Sequence, residues 1–154
     1  MSGNSLDMVI GAGSAIGHAL IERWSREGSR PVVAVARSEA SLAAVGAPGV
    51  QTQHCDYSEA ALATFAAQLQ ERTADITRLV ICNGVLQGEG YRPERALNQL
   101  TTNAMEQVFE VNTFVPMRVL ASLAPVLKRS AAPRIAVLSA RVGSIGDNGL
   151  GGWY

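Results

Sequence analysis

The sequence has one lysine, two cysteines and no net charge. Its thirteen acidic residues cancel its thirteen basic ones, so neither a nucleic-acid backbone nor an anionic membrane is indicated as a partner. Two cysteines, Cys55 and Cys82, are too few for a disulfide framework; they suit buried thiols in a reducing compartment. No apolar run approaches the roughly 18 residues that a membrane helix needs. The opening stretch MSGNSLDMVIG lacks the charged-then-apolar pattern of a signal peptide. The expected location is therefore the cytoplasm. Lys128 is the single lysine, and the other twelve basic residues are arginine.

What remains is an ordinary globular composition, 47% hydrophobic and 17% charged, over 154 residues. That length suits one domain with its own core. Short apolar runs alternate with longer stretches of helical period. Strands are predicted over 6–11, 31–37, 49–55, 76–84 and 133–140, and helices over 14–28, 38–46, 56–73 and 102–129. Ile16, Leu20 and Trp24 mark the buried face of the first helix. Ser38 is placed to cap the second helix, and Asp56 or Ser58 the third. No repeat, low-complexity tract or linker interrupts the pattern.

Strands alternating with helices imply βαβ units, hence a parallel sheet covered on both faces. Right-handed crossovers then give an α/β, Rossmann-type doubly wound sheet with strand order 3-2-1-4-5. In that order the strands ending at Cys55 and Cys82 are not neighbours, so the thiols are too far apart to bridge.

The most informative stretch is VIGAGSAIGHAL, where an apolar strand runs into Gly11, Gly13 and Gly17 as a helix begins. A helix N-terminus offers unpaired N–H groups and the positive end of its dipole. Glycines let the backbone pass close to a pyrophosphate. The spacing is G-x-G-x-x-x-G, because Ile16 occupies the third place of the G-x-G-x-x-G fingerprint. Arg37 follows the second strand, where an NAD site would place an acid for the ribose 2′-hydroxyl; a guanidinium there suits a 2′-phosphate, which favours NADP over NAD. Asn112 lies inside the long helix, four residues before Pro116. Proline has no N–H for the Asn112 carbonyl, so a kink is expected there. Phe109, Phe114, Val119, Leu120 and Leu123 form a wide apolar stripe on that helix.

The glycine turn resembles the T-G-x-x-x-G-x-G of short-chain dehydrogenases/reductases, with Ile10 for the threonine and Gly11, Ala15 and Gly17 for the glycines. The resemblance implies a cofactor site made of Gly11, Gly13, Ser14, Ala15, Ile16, Gly17, Arg37, Asp56, Tyr57, Asn83 and Gly84. Within it, Ser14 would meet a phosphate, Asp56 the adenine, and Tyr57 would supply a backbone contact. The stretch ICNGVL sits where the family has N-N-A-G, with Gly84 matching the glycine, Cys82 replacing an asparagine and Asn83 on the alanine position. The resemblance makes Asn112 a holder of water in a proton relay. The fifth strand should end in the serine that binds the substrate carbonyl. Ser139 is the candidate, one residue out of register against Gly143, with Ser144 as a substitute.

The family's acid is the tyrosine of Y-x-x-x-K, whose lysine lowers the phenol's pKa. Tyr154 is the last residue, so no lysine follows it. The stretches LSARVGSIGDNGLGGWY, RPERAL and VFEVN are similar to the C-factor-like branch of the family, where a second tyrosine is the catalytic one. The implied protein is an NADP-dependent carbonyl reductase or alcohol dehydrogenase, of which 1–154 is the first three-fifths. It would lack the catalytic tyrosine and lysine and the last strands, and it would form a homodimer or homotetramer when full length. The other reading is a non-catalytic dinucleotide-binding or signalling protein of the same fold.

Overall fold

The computed structural model describes residues 4–94, 96–140, 143, 144 and 146. Five strands form one parallel sheet in the order β3-β2-β1-β4-β5. They are β1 (Ser5–Ile10), β2 (Val32–Ala36), β3 (Val50–His54), β4 (Asp75–Ile81) and β5 (Arg134–Val137). The connecting helices are α1 (Ala15–Glu27), α2 (Glu39–Ala43), α3 (Glu59–Glu71), α4 (Thr102–Phe109) and α5 (Val115–Arg129). The expected doubly wound order is therefore the observed one.

Each face of the sheet has its own core. Met8, Ile10, Val33, Val35, Leu79 and Ile81 pack against α3 and α5. Val9, Val32, Ala34 and Ala36 pack on the other side, with Ile21 and Trp24 of α1 and Leu42 of α2. Strands buried on both faces read as continuous apolar runs, which is why VVAVA was so legible.

Several boundaries and faces differ from expectation. The first helix buries Gly17, Ile21 and Trp24, while Ile16 is 57% exposed. A glycine on the buried face, which hydropathy does not score, rotates the true stripe by one position. Ser38 caps α2 and Ser58 caps α3, each accepting an N–H three residues on. Asp56 instead accepts the Ser58 N–H at 2.9 Å, which settles the choice of cap. The helix predicted over 102–129 is two helices joined by a π-helical turn, Glu110–Phe114. The apolar stripe splits there: Val119 and Leu123 are fully buried, whereas Phe109 and Phe114 face outward. Cys55 and Cys82 are both buried and unbridged, as their separate strands require.

One polar group lies at the heart of β1. Asp7 is completely buried, yet it accepts from Arg30 Nε at 3.1 Å and from Arg78 Nη2 at 2.6 Å. A bulge between β1 and β4 shifts their register so that Arg78 lies beside Asp7. Arg78 also pairs with Glu27 at 2.9 Å and lies 4.2 Å over the Trp24 ring. Its carboxylate partner Asp7 pushes the guanidinium pKa upward, and Arg78 in turn holds Glu27 below the usual carboxylate range. This network fastens α1 and the β2 entry to the amino end of the sheet, away from the glycine turn.

Candidate functional site

The carboxyl ends of β1, β2, β3 and β4 converge on one cleft of about 370 Å³. Gly11, Gly13 and Ser14 form one wall, Arg37 and Ser38 a second, and Asp56 and Tyr57 a third; Asn83 and Gly84 close it. This is where ligands sit in open α/β sheets, because neighbouring connections leave in opposite directions there. The structure thus brings together eight of the eleven residues expected in the cofactor site. Ala15, Ile16 and Gly17 lie next to the cleft, in the first turn of α1.

The turn itself is tightly built. Gly11 has φ +80°, and a Cβ there would stand 2.9 Å from the Asn83 nitrogen and the Cys82 carbonyl carbon. Gly17 lets α1 lie on the strand end, since a Cβ would be 2.5 Å from the Gly11 carbonyl oxygen. Ser14 donates to that same carbonyl at 2.9 Å and accepts the Gly17 N–H at 3.0 Å. Its hydroxyl is thus the N-cap of α1. The N–H groups of Ala15 and Ile16 remain at the helix mouth, where no intrahelical partner exists.

At the neighbouring wall, Arg37 is exposed and its guanidinium makes no ion pair among the described residues. His54 lies 3.1 Å from the Arg37 carbonyl and so joins the ends of β2 and β3. Hydrogen bonding to Ser58, chiefly its backbone N–H, holds the Asp56 carboxyl below its ordinary range. Asp56 is therefore a carboxylate at neutral pH.

Tyr57 is the residue whose placement the sequence did not disclose. It is 3% exposed, at φ +65°, and its side chain turns under the glycine turn. The hydroxyl accepts the Gly11 N–H at 3.2 Å and donates to the Val35 carbonyl at 3.3 Å. Burial pushes the phenol pKa up, and the facing Asn83 amide pulls it down. Cys82 lies below the same turn. Burial raises its pKa to about 11, against a smaller downward pull from Ser14. At pH 8 roughly one thiol in a thousand is then ionised, so Cys82 is packing and not a nucleophile.

Asn112 sits in the π-helical turn and grips the loop after β4. Its Oδ1 accepts the Val85 N–H at 2.8 Å and its Nδ2 donates to the Val85 carbonyl at 2.9 Å. Pro116 deprives the Asn112 carbonyl of its usual helical donor. Such single π-turns recur at functional sites. Ser139 and Ser144 are both exposed beyond the end of β5, outside the lining of the cleft. Tyr154 lies outside the described residues.

A family model described as short chain dehydrogenase matches residues 7–152. The chain belongs to that family. A curated relative, 1-hydroxy-2-glutathionyl-2-methyl-3-butene dehydrogenase of Rhodococcus sp. (strain AD45), is 27% identical over 150 residues. The match covers 96% of this chain and 61% of the relative, so the chain spans about three-fifths of that protein's length. Among solved structures, a putative short-chain alcohol dehydrogenase from Burkholderia multivorans superposes with TM-score 0.78 at 22% identity, covering 97% of this chain and 67% of its own. Serine dehydrogenase from Escherichia coli superposes with TM-score 0.76 at 16% identity, covering 90% and 63%. These likenesses concern the fold.

Proposed function

We propose that this chain is the dinucleotide-binding part of an NADP-dependent oxidoreductase acting on a small carbonyl or alcohol substrate. The observation that carries the reading is the cleft at the strand ends, where a glycine turn and an open helix mouth face Arg37. The turn and the Ala15 and Ile16 N–H groups suit a pyrophosphate. Arg37, with no acid beside it on β2, suits a 2′-phosphate. Asp56, held ionised, can accept from the adenine amino group. The bound dinucleotide would give or take a hydride. Asn112 holds the loop that follows Gly84, and Ser139 or Ser144 would donate to the substrate oxygen. RPERAL and VFEVN favour the C-factor-like branch within the family.

Outward-facing Phe109, Phe114 and Met117 support self-association, which light scattering tests. Among the described residues no helix is long and apolar enough to cross a membrane. A cytoplasmic enzyme remains the proposal.

The test is ligand-induced stabilisation, because a ligand that binds the folded state must raise its melting temperature. NADPH is expected to raise Tm more than NADH. Arg37→Ala is expected to weaken NADPH binding about tenfold, in the range of a charge-assisted pair, and to leave NADH unchanged. If neither dinucleotide shifts Tm, the reading fails. If NADH shifts it more, the NADP assignment fails alone.

A further inference from the structure

We propose that Tyr57 is a positioning residue for the glycine turn, its hydroxyl fixing the shape in which that turn receives a pyrophosphate. The inference rests on the dinucleotide reading, in which Tyr57 gives a backbone contact, and adds a role for its side chain, acting from beneath the site.

Three observations point the same way. First, a bulky residue at φ +65° is a backbone outlier, and such outliers persist only where the surroundings over-determine them. Second, the ring is buried while the hydroxyl reaches polar backbone at two strand ends, Gly11 N–H and Val35 C=O. The Gly11 N–H is shared with the Val35 carbonyl at 2.9 Å, and the Ala12 N–H reaches that same carbonyl at 3.0 Å. The phenol therefore sits within a knot that already ties β1 to β2. Third, Asn83 faces the hydroxyl from the end of β4, and its Oδ1 is buried without a partner among the described residues. Four strand ends thus meet around one oxygen: Gly11 after β1, Val35 in β2, Tyr57 after β3 and Asn83 after β4.

The consequence is mechanical. Gly11 has the conformational freedom that its φ requires, and the same freedom would let the turn wander. A hydroxyl held from β3 removes it, so the turn waits in one shape and the ligand is spared the cost of ordering it. Ile10 contributes no hydroxyl to this edge, so the phenol is the side chain that does so from below.

Tyr57→Phe keeps the ring and the backbone and removes only the oxygen. In the full chain, it is expected to weaken the tighter of NADPH and NADH about fivefold, the worth of one hydrogen bond. Binding of 2′-AMP, which has no pyrophosphate, is expected to stay the same when followed by NMR titration. Equal losses for both probes, or no loss, overturn the proposal while leaving the dinucleotide reading intact. Wild-type protein that binds neither dinucleotide overturns both. Should Tyr57→Phe not fold, hydrogen exchange in the wild type decides. A Gly11 N–H that exchanges at the pace of the β1 interior supports the knot, and one at loop pace overturns it.

Discussion

Gly17→Ala is expected to lower Tm by about 6 °C and to remove dinucleotide binding. The added methyl would lie 2.5 Å from the Gly11 carbonyl oxygen and 2.9 Å from Ser14 Oγ. The first of these atoms is backbone at the end of β1, so it cannot swing aside. The helix must lift instead, at a cost of about 3 kcal/mol for overpacking a tight contact. Alanine is the better helix former by about 1 kcal/mol, which offsets part of that. A net loss near 2 kcal/mol corresponds to roughly 6 °C in a domain of this size. Binding suffers more than stability does. Lifting α1 withdraws the Ala15 and Ile16 N–H groups and loosens the Ser14 cap in the same movement. Thermal melts with and without NADPH check both effects. An unchanged Tm together with an unchanged ligand shift would show that helix and strand do not approach as described.

Asp7→Ala is expected to cost more stability than any substitution in the cleft. It removes the carboxylate of Arg30 and one of the two carboxylates of Arg78, which keeps Glu27. Losing one partner of a buried ion pair costs about 3–5 kcal/mol. The arginine side chains are 22% and 20% exposed, so they regain some water and the lower end applies. A fall of about 10 °C in Tm follows. Dinucleotide affinity should hardly change, since the Asp7 network holds the amino-end half of β1, away from the glycine turn. Together, the two variants distinguish the two ends of the sheet: both lower Tm, and the one at the glycine turn also removes binding. Asp7→Ala melting within 2 °C of wild type would show that the network contributes nothing net.

Much of this was legible in the sequence because parallel strands advertise themselves. VVAVA is apolar throughout, and the helices after β1, β2 and β3 each begin on a serine cap. Right-handed crossovers with helices on both faces then give the doubly wound order. The glycine turn was legible for a similar reason: its residues are contiguous, so spacing carries the geometry. Features that depend on distant residues were not. Asp7 and Arg78 are 71 positions apart, and a bulge sets their alignment. The π-helical turn left one trace, Pro116, which predicted a kink but not its form. Tyr57 read as a backbone contact of the cofactor site, and its buried side chain went unread, because no pattern of hydropathy reports a positive φ. Ile16 misled for the opposite reason: it has the right spacing for the core, but Gly17 is the residue that touches the strand.

The π-helical turn also bears on which changes in length the chain can absorb. A regular α-helix advances about 100° per residue, so deleting one residue from α5 would turn Val119 and Leu123 away from the core. A π-turn carries one residue more than the helix around it needs. Removing one residue from Glu110–Phe114 would join α4 and α5 into one helix kinked at Pro116, and would keep both flanking faces in register. What such a shortened chain loses is the grip of Asn112 on Val85. The segment is thus the place in α4–α5 where a deletion spares the fold and spends only the site.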